Sequence, residues 1–300
     1  MSSETVVPIR LITHNIRFAN ESPKLPEHRW YERRPLLTTA LHHYTQHNAE
    51  AFICLQEVYR KQLTDILKDL NGPSPAFDGE REWAFIGRAR SDPGDPNDPI
   101  SEFNPILYRR DSWRLLSQDT VWLSETPEKA GSIGWDAASP RIVTKGVFQH
   151  VKTKLKVCAM CTHFDDQGAV ARRKSAEMVN EMVREMRRSG GLFFVFVAGD
   201  LNSRENEEPY KEIVKGEVLA DVWRVTNPWW RYGEKETWTG FDGDGDGEGK
   251  KRIDFVFVSK VGRAKGYAVL PNLFEKDDGV RVSDHRAVVG DVEVTVRCES

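Results

Sequence analysis

The 300-residue chain is long enough for one large domain or two ordinary ones, and its 39% hydrophobic and 30% charged residues are typical of a soluble globular protein. A formal net charge of −3 argues against a broad basic face, so tight nonspecific binding to nucleic acid is not favoured, although a local basic groove would suffice for such a substrate. No window approaches roughly 18 uninterrupted apolar residues, so no membrane span is expected. The start, MSSETVVPIRLITHNIRF, lacks the features of a signal peptide, so we expect a cytoplasmic protein.

Short runs rich in β-branched and aromatic residues predict strands. In chain order these runs are VVPIRLITHN, AFICLQE, REWAFIG, NPILYRR, RIVTKGVFQHV, LKVCAMCTH, LFFVFVAGD, RIDFVFVS and HRAVVGDVEVTV. Apolar residues at helical spacing predict two helices, from Trp30 to about His47 and from about Ala169 to Arg188. Since strands and helices mix from end to end, we expect one α/β domain over residues 1–300, built on two packed sheets.

Segments rich in Gly, Pro, Asp and Ser predict loops at 71–80, 90–99, 128–140 and 241–251. The chain has four cysteines, and a reducing compartment is the simpler interpretation of so low a count. Cys158 and Cys161 have redox-motif spacing but lie in a predicted strand, where an offset of three places them on opposite faces. We interpret them as strand residues in preference to a redox or zinc pair.

The stretch FDGDGDGEGKKRID (241–254) has the alternating acidic pattern of a calcium loop. Counted from Asp242, its aspartates occupy the ligand positions 1, 3 and 5 of an EF-hand, but position 12 is Ile253, which cannot ligate. The flanking segments are predicted strands and not helices. We therefore expect a flexible acidic loop at 242–249, with a weak calcium site as the alternative.

Polar side chains recur where predicted strands begin or end. They are Asn15, Glu57, His163, Asp200, Asn202, Asp254, Asp284 and His285. Strand ends hold side chains rigidly, and binding sites are commonly assembled there. A single Asp after a strand is more often a turn former or a helix cap. The whole set, however, indicates convergence on one pocket.

These residues fall in an ordered series of short motifs. The series is T-H-N-I-R (13–17), L-Q-E (55–57), T-H-F-D (162–165), G-D-L-N (199–202), R-I-D (252–254) and S-D-H (283–285). It resembles the endonuclease/exonuclease/phosphatase superfamily, which includes DNase I, exonuclease III, inositol polyphosphate 5-phosphatases and sphingomyelinases. The resemblance runs from about residue 8 to residue 295. It implies a DNase I-like fold, a four-layered α/β/β/α sandwich of two mixed sheets flanked by helices, with the site at one edge.

A further set of motifs resembles one largely uncharacterised branch of that superfamily. These motifs are W-L-S-E-T-P (122–127), G-W-D (134–136), P-R-I (140–142) and R-I-D-F-V-F-V-S (252–259).

The resemblance implies hydrolysis of a phosphate ester with Mg²⁺ or Mn²⁺ as cofactor. The scissile phosphate is anionic and repels hydroxide, and a divalent cation removes part of that penalty. Hard cations prefer oxygen ligands. The expected metal ligands are Glu57, with Asn15 beside it, and Asp284, which would complete or approach the same metal.

The attacking water must lose a proton near neutral pH, and an unperturbed histidine pKa of roughly 6.5 suits that task. The resemblance makes His285 the expected base and Asp254 the residue that hydrogen-bonds it and fixes its tautomer. Asp200 would orient the water or help to deprotonate it. Asn202 would donate to a non-bridging phosphate oxygen, where an aspartate would repel the substrate.

On the far side of the phosphate the resemblance places His163, which would contact phosphate or assist the leaving oxygen. Glu102 would pair with it and raise its pKa. Arg141 is either a bidentate phosphate ligand or part of a structural ion pair. Some of the tryptophans could form a stacking platform, although packing is the expected role for most of them; these are Trp122, Trp135, Trp229, Trp230 and Trp238.

The leading functional hypothesis is a metal-dependent phosphoesterase, either a phosphatase or a phosphodiesterase, that acts as a monomer on a phosphorylated small molecule or nucleotide. A Mg²⁺-dependent nuclease acting on DNA or RNA is the first alternative. A catalytically silent binding protein on the same fold is the second, although a silent relative would be free to lose the polar series that this chain retains.

Overall fold

A computed structural model describes residues 3–72, 82–91, 101–188, 193–242, 249–274 and 279–298. The strands are β1 (Ser3–Asn15), β2 (Phe52–Gln56), β3 (Trp83–Ile86), β4 (Ile106–Arg109), β5 (Trp113–Trp122), β6 (Ile142–His150), β7 (Lys156–His163), β8 (Phe193–Asp200), β9 (Leu219–Asp221), β10 (Arg231–Gly233), β11 (Asp254–Ser259), β12 (Gly262–Val269), β13 (Leu273–Phe274), β14 (Val280–Arg281) and β15 (Val288–Cys298). The helices are α1 (Trp30–Thr45), α2 (Arg60–Asn71), α3 (Ala169–Arg188), α4 (Glu208–Val214) and α5 (Val222–Val225), with 3₁₀ turns at Lys215–Glu217 and Pro228–Trp230. No helix within these ranges is long and apolar enough to cross a membrane.

Two large mixed sheets form the centre of the fold. The seven-stranded sheet has the order β10-β12-β15-β1-β2-β4-β3, and the six-stranded sheet has the order β5-β6-β7-β8-β11-β9. Parallel pairs such as β1–β2 and β7–β8 lie among antiparallel neighbours. Helices α1 and α2 pack on the outer face of the larger sheet, and α3 and α4 pack on that of the smaller one. The DNase I-like sandwich implied by the motifs is confirmed.

Both faces of each sheet are buried, which explains the nearly continuous apolar runs of the central strands. In β2, Phe52 and Cys54 point into the core between the sheets, whereas Ile53 and Leu55 point toward the helices. This alternation is the two-residue period of a strand. The polar residues at the strand ends are consequently held by elements that are packed on both sides.

The two predicted helices agree with the structure in position, whereas α2 and the short helices α4 and α5 were not predicted. The second predicted helix is confirmed as α3, and the first ends at Thr45, two residues before the predicted end. Helix α2 was not predicted, although Leu63, Ile66 and Leu70 have helical spacing and are buried. Strands β5 and β12 were also not predicted, because their partly exposed residues break the apolar pattern.

The predicted loops fall partly on described residues. Segment 128–140 contains no helix or strand, as predicted. Most of 71–80 and 90–99, and residues 243–248 of the acidic stretch, lie outside the described residues. Cys158 packs toward α3 and Cys161 packs between the sheets, and neither is in a disulfide, so their placement on opposite faces of β7 is confirmed.

Two of the additional motifs stabilise the fold. In G-W-D, the Asp136 carboxylate accepts hydrogen bonds from the backbone nitrogens of Val170 and Ala171 at 3.2 and 2.7 Å, which caps the start of α3. In R-I-D-F, the Arg252 guanidinium forms a two-pronged ion pair with Asp221, with both distances at 2.8 Å.

Gly199 allows β7 and β8 to approach each other just before the polar end of β8. Its φ is +156°, and a Cβ added there would lie 2.0 Å from the carbonyl oxygen of Thr162, its partner across the two strands. Only glycine fits this contact, which explains the first letter of the G-D-L-N motif.

Gly199→Ala is expected to lower the free energy of unfolding by about 3 kcal/mol or more, because a clash with backbone cannot be relieved by a side-chain rotation. The matched control is Gly216→Ala, since Gly216 also has positive φ (+75°) but no atom within 4 Å of an added Cβ. Its cost is limited to about 1–2 kcal/mol of backbone strain. Urea unfolding followed by circular dichroism measures both. Equal losses in the two variants would show that the strand contact does not require glycine.

Candidate active site

Strand register places three predicted site residues side by side. Asp200 at the end of β8 lies opposite His163 of β7 and also opposite Asp254 of β11. In the larger sheet, Asn15 ends β1 and Glu57 directly follows the neighbouring strand β2. The polar ends of both sheets thus meet at one edge.

These residues surround a cleft of about 420 Å³. Eight of the ten predicted site residues line it, namely Glu57, Glu102, Arg141, His163, Asp200, Asn202, Asp284 and His285. The other two, Asn15 and Asp254, are fully buried and hydrogen-bond to lining residues. The cleft is also lined by Arg17, Phe18, Arg90, Ser139, Asp166, Trp238, Lys251 and Ile253.

A buried Asp–His pair forms one wall of the cleft. His285 Nδ1 lies 2.8 Å from Asp254 Oδ2, and its Nε2 lies 3.7 Å from Asp200 Oδ2. Burial lowers the pKa of His285, but the charge and hydrogen bond of Asp254 outweigh burial and raise that pKa to about 10. His285 is therefore an imidazolium at neutral pH, which differs from the neutral base expected from the sequence.

Asp200 is the residue whose proton affinity suits a base. Burial raises the pKa of Asp200 to about 7, and the nearby charge of Asp254 acts in the same direction. Its carboxylate is oriented by Asn15 Nδ2 at 3.2 Å and by the Asn202 backbone nitrogen at 2.8 Å. A carboxylate with a pKa near the working pH is well matched to proton transfer.

Glu57 presents its carboxylate from a strained backbone. Its φ is +58°, in the left-handed region that non-glycine residues seldom adopt and that is found most often at functional sites. Asn15 Nδ2 donates to Glu57 Oε1 at 2.9 Å, while Asn15 Oδ1 accepts from the backbone nitrogen of Arg17 at 3.0 Å. Asn15 accordingly orients two carboxylates with its amide nitrogen, which differs from the metal-ligand role expected for its oxygen.

Two groups of side chains could hold a metal ion. Glu57 and Asp284 both line the cleft and offer the carboxylate oxygens that Mg²⁺ and Mn²⁺ prefer. Asp200, Asp254 and His285 form the second group, with ligand atoms within 4.8 Å of one another. In that group Asp254 Oδ2 and His285 Nδ1 already bind each other. Within the described residues, the carboxylates of Glu57 and Asp284 accept hydrogen bonds from neutral donors only and are not bound to a histidine, so they fit a hard cation better.

The expected pairing of His163 with Glu102 is not formed. Glu102 Oε1 instead binds Arg90 Nη2 at 2.7 Å, and His163 Nδ1 is buried with no hydrogen-bond partner in the described part of the chain. Burial, followed by the charges of Arg141 and Arg90, lowers the pKa of His163. The expected rise in this pKa is thus wrong, because Arg90 takes the carboxylate that would have produced it.

Asn202 holds His163 in place. Its Nδ2 donates to His163 Nε2 and to the carbonyl oxygen of Phe164, both at 3.0 Å. Its backbone has φ +46°, a second strained position at the site. Both amide protons are used within the protein, so Asn202 orients the imidazole here and does not present a free donor to phosphate.

Arg141 forms structural ion pairs, which is one of the two roles expected for it. Its Nε lies 3.2 Å from Asp165 and its Nη2 lies 2.7 Å from Asp166, which gives structural ion pairs. Its Nη1 is buried and has no partner among the residues that the structure describes.

The tryptophans lie in different surroundings, and the packing role expected for most of them does not hold for the exposed Trp229 and Trp230. Trp238 lines the cleft, with Lys251 Nζ 5.0 Å from its ring. By contrast, Trp122 is buried in the fold and Trp229 is 91% exposed on the surface.

Sequence reasoning did not assign the cations Arg17, Arg90 and Lys251 to the cleft, because all three lie outside the helices and strands, where no periodicity indicates the direction of a side chain. A positive φ at Glu57 has no sequence signal either.

In the acidic stretch, Ile253 is buried and its backbone nitrogen donates to Thr237 at 3.0 Å, in agreement with its inability to serve as a calcium ligand.

Comparison with known proteins identifies the family. Residues 12–285 match the model of the Endonuclease/Exonuclease/phosphatase family, whereas no curated protein matches the chain. A family member of known structure from Bacteroides thetaiotaomicron is 27% identical, with a TM-score of 0.82 and coverage of 97% of this chain and 99% of that chain. A mannosyl-6-phosphatase from the same organism is 28% identical, with a TM-score of 0.80 and coverage of 95% and 99%.

A more distant structure shows likeness of fold alone. D. rerio TDP2, crystallised with a single-strand DNA product, is 16% identical, with a TM-score of 0.63 and coverage of 95% of this chain and 98% of that chain.

Asp254→Asn is expected to lower the pKa of His285 from about 10, because it removes the charge and hydrogen bond that most strongly oppose burial, while the weaker raising effects of Asp284 and Asp200 remain. NMR titration of the imidazole in EDTA measures this pKa. Asp166→Asn is the control, since Asp166 also lines the cleft but binds Arg141. If the pKa of His285 stays near 10 in Asp254→Asn, Asp254 is not the group that holds the proton on the imidazole.

Proposed function

Because the chain belongs to the endonuclease/exonuclease/phosphatase family, we propose that it is a divalent-metal-dependent hydrolase that cleaves a phosphate ester by in-line attack of water. The observation that carries the proposal is the convergence in one cleft of Asp200, with a pKa raised to about 7, the buried Asp254–His285 pair, and the carboxylates of Glu57 and Asp284. Mg²⁺ or Mn²⁺ held by Glu57 and Asp284 would neutralise phosphate charge and polarise the ester.

Asp200 accepts the proton of the attacking water in this proposal. The hydrogen bonds from Asn15 and Asn202 leave its Oδ2 directed at the space between the two histidines, 3.6 Å from His163 Nε2 and 3.7 Å from His285 Nε2. General-base catalysis of this kind contributes about 10²- to 10⁴-fold in rate.

His285 stabilises the charge that develops on the phosphoryl oxygens. Asp254 binds Nδ1, so the proton on Nε2 is the one available to substrate. His163, whose pKa is lowered, supplies a neutral imidazole on the other side of Asp200. The carboxylate thus lies between a charged and a neutral imidazole, which suits the role of proton acceptor.

The substrate proposed is a phosphorylated small molecule or nucleotide. A cleft of about 420 Å³ falls within the roughly 300–1,000 Å³ typical of small-molecule sites. The 28% identity with a mannosyl-6-phosphatase supports a sugar phosphate as a member of this class. A nuclease is the second candidate, because Arg17 and Lys251 line the same cleft and could contact a nucleic-acid backbone.

Hydrolysis of p-nitrophenyl phosphate is expected to require added Mg²⁺ or Mn²⁺, to stop in EDTA and to return when the metal is restored. The reason is that the carboxylates of Glu57 and Asp284 repel an anionic substrate unless a cation lies between them and the phosphate. Release of p-nitrophenol measures the rate. Full activity in excess chelator would refute the metal requirement. A panel of sugar phosphates, nucleotides, and single- and double-stranded nucleic acids then separates the two substrate candidates.

Asp200→Asn is expected to lower kcat at least about a hundredfold with little loss of stability, because the amide keeps the shape but cannot accept the proton. His285→Ala is expected to lower kcat by a similar factor. Asp119→Asn, on the exposed part of β5, is the control and keeps the wild-type rate. A kcat near wild type in Asp200→Asn would remove Asp200 from the mechanism.

A further inference from the structure

We infer that Arg90 and Arg141 together bind an unesterified oxygen of the phosphate, and that this pair selects phosphomonoesters over phosphodiesters. The inference rests on the proposed function and names the substrate class of the same cleft. Both guanidinium groups line the cleft on the wall that carries His163 and Glu102. Their shared position on the cleft lining is the geometric basis of the inference, and both charges lower the pKa of His163 after burial.

Arg141 offers a donor that the protein leaves unpaired. Two of its three nitrogens are fixed by Asp165 and Asp166, and the whole side chain is only 7% exposed. The third nitrogen, Nη1, is buried without a partner among the described residues. A buried N–H of a charged group costs considerable free energy when it is unsatisfied. An acceptor from the substrate would satisfy it, and a phosphate oxygen is the acceptor that guanidinium groups bind best.

Arg90 is held in position from three directions. Its Nη2 binds Glu102 at 2.7 Å, its backbone nitrogen donates to the Glu102 carbonyl at 2.9 Å, and its carbonyl accepts from Trp122 Nε1 at 2.8 Å. Only Nη2 of this guanidinium has a hydrogen-bond partner in the described ranges, and the side chain is 18% exposed in the cleft. The guanidinium is thus fixed at the cleft wall before an anion binds, which lowers the entropy cost of binding.

The chemistry of the two ester classes then decides which one fits. A phosphomonoester has three unesterified oxygens and a charge of about −1.5 to −2 near neutral pH. In this binding mode, a metal held by Glu57 and Asp284 and the imidazolium of His285 would contact the oxygens on their side of the cleft. The wall that carries Arg90 and Arg141 would contact the remaining oxygen. In a diester bound in this orientation that position carries an uncharged alkoxy group, so neither arginine gains a charged acceptor from the substrate. Sites built around hydrogen bonds discriminate strongly against ligands that lack the acceptor.

The test compares two substrates with the same leaving group, p-nitrophenyl phosphate and methyl p-nitrophenyl phosphate, which differ by one methyl on the phosphate. In Arg90→Gln, kcat/KM for the monoester is expected to fall about 10- to 100-fold, as for loss of a charged hydrogen bond, whereas kcat/KM for the diester changes less than about threefold. Arg90→Lys keeps the positive charge but loses the bidentate geometry of a guanidinium. Its kcat/KM for the monoester is expected to lie between those of the wild type and Arg90→Gln. Arg88→Gln is the matched control, since Arg88 lies two residues earlier over Trp122 and outside the cleft lining.

A binding experiment in EDTA keeps the inference independent of turnover. Inorganic phosphate binding, measured by calorimetry, is expected to weaken about tenfold or more in Arg90→Gln, while binding of dimethyl phosphate is unchanged. Equal losses on both substrates, or unchanged phosphate binding, would overturn the role of Arg90. If neither ester is hydrolysed by the wild type with Mg²⁺ or Mn²⁺, the proposed function fails, and the phosphate measurement still decides whether the arginines form an anion site.

Discussion

The register of β7, β8 and β11 is the constraint on which the site depends. Parallel pairing sets His163 against Asp200, and antiparallel pairing sets Asp254 against the same residue, so the three side chains stand in one row across the sheet. A shift of one residue in either pairing would turn a member of the row to the opposite face. Gly199 secures this register, because the contact with the Thr162 carbonyl leaves no room for a Cβ.

The row of His163, Asp200 and Asp254 also has an electrostatic consequence. The row lies at the end of strands that are buried on both faces, so charges there are weakly screened and interact strongly. The single charge of Asp254 raises the pKa of His285 and also raises that of Asp200. The buried carboxylate of Asp254 thereby raises the proton affinity of both His285 and Asp200, whose Nε2 and Oδ2 atoms are 3.7 Å apart. This separation of proton affinities is the pattern by which neighbouring groups acquire different catalytic roles.

Much of the frame could be predicted from the sequence, because buried strands have continuous apolar runs and the polar residues at their ends stand out against them. The same reasoning placed eight residues in the cleft lining and paired Asp254 with His285, but it did not determine the partner of Glu102. Glu102 was assigned to His163, yet Arg90, twelve residues earlier, takes its carboxylate. No periodicity connects two positions in irregular segments, so the competition between two partners for one carboxylate is settled only by the packing of the tertiary structure.

The residues that the sequence placed correctly and the partner that it missed lie in different parts of the fold. The proton-transfer residues belong to strand ends, where register fixes distances within narrow limits. The arginines that face the cleft come from segments between strands: Arg90 follows β3 and Arg141 precedes β6. Such segments can change without disturbing the sheets. A strand-end centre of this kind can serve many phosphate esters, and the chain-specific part of recognition then lies with the guanidinium groups that the connecting segments bring to its rim. Under the proposed function, the substrate of this protein is therefore to be sought through the arginines of these segments, since the strand-end row carries no group that distinguishes one ester from another.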